Sequence, residues 1–137
     1  MTANKKFAVR KTNGVRYRTY LKKAKEFYQT MYQAEKAQNW TAVGLNGVHC
    51  VISLIDAILV KYAGIRSSSE EHTRVVELLT YSVGNRLMDI TKKAQTAKRI
   101  IAKKNLIAYE NREFIKGEAL DMIKQVKRFY DWAISNL

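Results

Sequence analysis

The chain has 137 residues, with 25 Lys plus Arg against 12 Asp plus Glu, and carries a formal net charge of +13 at pH 7. That length suits one domain with its own core, and a hydrophobic fraction of 47% excludes a disordered chain. A single cysteine excludes an intramolecular disulfide and the multi-cysteine zinc motifs, and the lack of proline with only six glycines leaves little turn chemistry for a sandwich or barrel.

Residues 1–14 read as a basic, flexible N-terminal arm, and residues 15–137 as a helical domain. Nine basic residues and no acid occur up to Lys25. The first helix is predicted over 15–37, where Tyr17, Leu21, Ala24, Tyr28, Met31 and Ala34 recur at helical spacing. A second is predicted over 40–63 with Asn39 as its N-cap and Gly64 as its C-cap. It is apolar nearly all round, which marks it as the central helix. Gly44 and Gly47 within it suggest close approach of a neighbour. Ser68 and Glu71 fit a capping box that opens a short third helix. A fourth is predicted over 86–109 and a fifth from Gly117 onward. No segment reads as a strand, so the expected fold is all-α, a five-helix up-and-down bundle. The chain does not open on a signal-like apolar stretch. Its longest apolar run, residues 50–60, is broken by Ser53 and Asp56 and reaches about half of the ~20 residues a bilayer span needs. A cytoplasmic protein without membrane contact is expected.

His49, Ser53 and Asp56 share one stripe of the second helix. Three residues stacked on one helix do not align as a catalytic triad, so with His72 they are expected to form a structural polar cluster. No ligand spacing for a metal is present, and Cys50 reads as a packed thiol. Neither a metal nor a cofactor is expected. Two basic tracts are candidates for nucleic-acid contact: Lys5, Lys6, Arg10, Lys11, Arg16 and Arg18 near the N-terminus, and Lys92, Lys93, Lys98, Arg99, Lys103 and Lys104 on the fourth helix. Tyr17 and Tyr20, interleaved with the arginines, are candidates for base stacking.

The segment 46–57, with His49 and then Asp56-Ala57 seven residues on, resembles the central helix of bacterial HEPN domains (higher eukaryotes and prokaryotes nucleotide-binding). Residues 64–79, with Gly64, Arg66, Glu71, His72 and Val76, resemble the loop and helix that follow. Residues 104–110 resemble the family's C-terminal signature, and Glu118-Ala119 into Phe129 its closing helix. The resemblance spans roughly residues 16–137 and implies a helical bundle that commonly dimerises. It also implies either a metal-independent endoribonuclease of toxin–antitoxin or defence systems, or a non-catalytic binder of RNA, nucleotides or a nucleotidyltransferase-type protein partner. The catalytic signature pairs an Arg with a His four to six residues on. Here Lys104 and Tyr109 stand at those positions, with Asn105 beside the first. A lysine lacks the planar fork that suits phosphate. A phenol, titrating near pH ~10, is a poor proton acceptor at neutrality. The expectation is therefore a non-catalytic, homodimeric RNA- or nucleotide-binding protein. The alternatives are an endoribonuclease with an altered motif, or a helical module for an acidic protein partner. Ala94, Ala97 and Ala108 form a small-residue seam that would place the fourth helix near a two-fold interface.

Overall fold

The helical stripe Ala24, Met31 and Ala34 is buried along the first long helix, α1 (Tyr17–Lys36), which lies antiparallel on the second, α2 (Trp40–Ala63). A tight turn joins them. Gln38 takes a positive φ of 59°, and the Asn39 N–H donates to the Ala34 carbonyl. Asn39 is at the expected cap position, but it caps with its backbone carbonyl, which accepts from Val43, rather than with its side chain. These contacts belong to a computed structural model that describes residues 7–68 and 72–137.

The remaining elements are β1 (Val9–Lys11), a 3-10 turn (Gly14–Arg16), β2 (Ile65–Ser67), α3 (His72–Val83), α4 (Ile90–Ala102), α5 (Lys104–Tyr109) and α6 (Lys116–Ser135). The all-α expectation holds, with α2 at the centre: α1, α3, α4, α5 and α6 all pack on it. Val48, Leu54, Ile55, Ile58 and Leu59 are fully buried there, and Met31, Met122, Phe129 and Ile100 close over them. By length and composition α2 could cross a membrane, yet 78% of its apolar window is buried among the other helices. Gly44 is where α5 crosses it. A Cβ at that position would lie 2.7 Å from Ile107 Cδ1 and 2.9 Å from Phe114 Cε2, so hydrogen is the only side chain that fits without displacement. Gly64, left-handed at φ 62°, ends α2 as expected.

Three expectations change. The predicted fourth helix, 86–109, is shorter and divided. Residues 86–89 form a turn with Asp89 left-handed, and the Lys103 N–H bonds to the Ile100 carbonyl, tightening the last turn of α4. The break redirects α5 so that Ile107 reaches Gly44. Second, a two-stranded ribbon exists. β1 and β2 pair antiparallel, with Val9 opposite Ser67, Arg10 opposite Arg66 and Lys11 opposite Ile65. Strands of three residues carry no detectable period, and their partners lie more than fifty residues apart in the chain. Third, the arm expected over 1–14 is held from residue 7 onward. Phe7 lies 5.7 Å from the Tyr81 ring and 5.0 Å from the Arg74 guanidinium, and the Thr12 N–H donates to the Gly64 carbonyl. Lys5, Lys6 and the Glu71 half of the capping box lie outside the described residues. Deleting residues 1–14 therefore removes packed structure along with charge. The deletion is expected to lower the melting temperature by several degrees, for a loss of about 1–2 kcal/mol; thermal unfolding by circular dichroism measures it.

Candidate nucleic-acid interface

The amphipathic pattern of α4 buries Ile90, Ala94, Ala97, Ile100 and Ile101, which turns Lys92, Lys93, Thr96 and Arg99 away from the core. The inward pattern of α6, Met122, Val126, Phe129 and Ala133, likewise leaves Arg128 outside. Where the two helices pack, these side chains meet around an open cleft of about 520 Å³ lined by Asp89, Lys92, Lys93, Gln95, Thr96, Arg99 and Arg128. That volume lies within the ~300–1,000 Å³ of ordinary ligand clefts. Four cations face one carboxylate. Among the described residues, no acid lies within ion-pair distance of any of the four. Arg99 donates to Thr96 Oγ1 at 3.3 Å, and Thr96 donates in turn to the Lys92 carbonyl at 3.2 Å, which steadies the cleft wall. Lys92 and Lys93 also stand in the first turn of α4, which carries no acid, so the positive end of the helix dipole adds to their field. An anion is the partner that relieves this arrangement.

The structure thus brings together Lys92, Lys93 and Arg99 from the fourth-helix tract and adds Arg128, which sequence reasoning missed. The only signal for Arg128 was its outward place beside Phe129; its partner helix could not be read from the chain. Lys98 faces the other side of α4, along a smaller groove with Val76, Glu77 and Thr80 of α3. Lys103 and Lys104 sit at the α4–α5 break, partly buried. The N-terminal tract forms a separate surface: Arg10 and Lys11 are exposed on β1, Arg16 in the 3-10 turn and Arg18 on α1. The tyrosines expected to stack on bases there are already engaged. Lys61 lies 5.1 Å from the Tyr17 ring centre, and Arg66 and Lys23 lie 5.3 and 5.7 Å from that of Tyr20.

The altered signature is split by α5. Lys104 opens this helix, Asn105 follows it exposed, and Tyr109 ends it with 78% of its surface in solvent. In sequence neither histidine lies near these positions. In the fold, His49 comes within electrostatic reach of Lys104. Burial first, and then the lysine charge, lowers the imidazole pKa, so His49 is neutral at physiological pH. Its ring stacks on Phe27 at 5.3 Å.

The residues expected to form a polar cluster lie as follows. Ser53 and Asp56 are buried, and no hydrogen bond joins His49, Ser53 and Asp56. His72 opens α3, and its side chain lies outside the described residues. Arg66 reaches down from β2, with its Nε 3.9 Å from Asp56 Oδ2 and without a hydrogen-bond partner. Desolvation outweighs the attraction of Arg66 and Lys23, and the Asp56 carboxyl is pushed up to about 6. In the unfolded chain the same group ionises near pH ~4. Between about pH 4 and 6 the folded protein keeps a proton that the unfolded chain has released, so stability falls as pH rises through that window. Asp56→Asn is expected to match the wild type near pH 4 and to exceed its stability by up to about 2–3 kcal/mol at pH 7.5, as measured by urea unfolding. Among the described residues, no group of His, Cys, Asp and Glu gathers closely enough to hold a metal ion.

Ala94 and Ala97, expected at a two-fold seam, are buried inside the chain's own core, and Ala108 alone of the three is exposed. The exposed side of α4 is polar, because the alanines are the positions at which neighbouring helices of the same chain approach. The chain matches no family model, no curated protein and no solved structure.

Proposed function

We propose that this chain is a non-catalytic, HEPN-like RNA- or nucleotide-binding protein that holds its ligand chiefly by phosphate. The observation that carries the reading is the cleft between α4 and α6, where Lys92, Lys93, Arg99 and Arg128 converge beside the single carboxylate of Asp89, with no ion pair to any of the four among the described residues. Arginine forks suit phosphate oxygens bidentately, and lysines add point charge. The HEPN resemblance supports RNA over an acidic protein as the anion, and suggests a toxin–antitoxin or defence setting. A highly exposed Tyr109, with no imidazole in its place, supports a binding role over a catalytic one.

The test is RNA binding followed by fluorescence anisotropy across a salt series. Four phosphate contacts on a single strand predict a slope of log K against log salt near about −3. Salt-insensitive binding, or binding to polyglutamate in preference to RNA, overturns the reading. A second reading, the altered-motif endoribonuclease, is favoured by His49 lying within electrostatic reach of Lys104. It requires RNA cleavage that resists chelator and disappears in His49→Ala.

A further inference from the structure

The cleft between α4 and α6 ends on an apolar shelf. Met88 directly precedes Asp89, a residue of the cleft wall, and is 84% exposed, more than any other large hydrophobic side chain among the described residues. Trp132 lies one helical turn beyond Arg128 on the same face of α6 and donates its indole N–H to the Met88 carbonyl at 2.9 Å. That bond ties the shelf to the helix that carries Arg128. Buried Leu87 on one side of Met88 and left-handed Asp89 on the other fix the turn from below. The turn therefore holds a large apolar side chain out in water, at the lip of a cationic cleft. A thioether is polarizable and packs well against π faces, so the surface it presents suits a flat aromatic ligand that also carries negative charge.

Resting on the phosphate reading above, we infer that cleft and shelf together form one seat for single-stranded RNA. Phosphates lie among Lys92, Lys93, Arg99 and Arg128, and an unpaired base lies on Met88 beside Trp132. A duplex keeps its base faces stacked inside and offers the shelf nothing, whereas a single strand can turn one base outward. The indole N–H of Trp132 is already taken by the Met88 carbonyl, so the shelf holds a base by its face and not through the indole.

The experiment compares three probes on the full chain and on Met88→Ser: a short oligouridylate, a duplex RNA and an inorganic polyphosphate of matched charge. A 2-aminopurine in a second single strand reports stacking. The expected result is that Met88→Ser binds polyphosphate and duplex as the wild type does, binds the single strand about fivefold more weakly, and loses the 2-aminopurine quench. If Met88→Ser holds all three probes as tightly as the wild type, the shelf is not a base platform and only the phosphate cleft survives. If the duplex loses as much as the single strand, the assignment to single strands fails. If the wild type binds neither RNA nor polyphosphate, the phosphate reading itself fails and the seat falls with it.

Discussion

Replacing Lys92, Lys93, Arg99 and Arg128 together with alanine is expected to weaken RNA binding on the order of 100-fold at 0.15 M salt. The figure follows from counterion release. At roughly 0.7 counterions per phosphate, each contact on a single strand is worth about half a decade at that salt, and four contacts give about two decades. The salt slope should flatten in the same variant, because the release and the affinity share one cause. Lys92, Arg99 and Arg128 are exposed and Lys93 partly so, and among the described residues none is in an ion pair, so the fold should survive with a near-unchanged melting temperature. Lys98→Ala provides the contrast. It removes one charge, as each single cleft substitution does, but from the side of α4 that faces α3, and should cost only a small, screened fraction of the affinity. Equal losses from Lys98→Ala and from any one cleft residue would show that binding follows net charge and not the cleft.

Phe129→Ala should be the most damaging single truncation in the chain. The ring is fully buried on α6, 5.5 Å from that of Trp132, among the largest side chains of the core. Removing a buried phenyl group costs about 3–5 kcal/mol in lost transfer energy and residual cavity. Against a total stability of about 5–15 kcal/mol for a domain, that is a large share. Urea unfolding measures it directly, as a lower midpoint at similar slope. The neighbouring residue links this loss to function. Arg128 precedes Phe129 on α6, so loosening the helix also frees one wall of the cationic cleft. RNA affinity should fall in Phe129→Ala even under conditions in which the variant is fully folded.

What could be read from the chain was what lies close together along it. The period of Ala24, Met31 and Ala34 gave α1, the nearly all-round apolar character of Val48 to Leu59, interrupted only by His49, Ser53 and Asp56, marked α2 as central, and Gly64 ended it. What could not be read depended on distant residues meeting. Ile107 must turn toward Gly44, so the fourth helix breaks at Lys103, although its own sequence has no breaker there. Ala94 and Ala97 are small because their own chain packs against them, and a stripe of alanines looks the same whether it faces a second copy or its own core. The candidate site was half visible for the same reason. Lys92, Lys93 and Arg99 stood out as a basic run, but their companion Arg128 belongs to another helix, and Met88 looked like an ordinary apolar residue in a turn.

The short ribbon between β1 and β2 sets an order of events as the chain folds. It joins residues 9–11 to residues 65–67 and so closes a loop that contains all of α1 and α2. The hairpin of those two helices is built from local contacts, which form early. A pairing that closes so long a loop recovers its entropy only after the helices have docked. The ribbon is therefore a late addition held by few backbone bonds, and it should be the first part to open. In hydrogen exchange, the amides of Thr12 and Ser68, which bond to Gly64 and Ala8, should trade their protons through small local openings. Those of Leu54 and Ile58, deep in α2, should wait for the whole molecule to unfold. Arg10 and Lys11, the part of the basic N-terminal surface on β1, are therefore attached to the bundle by its least stable unit.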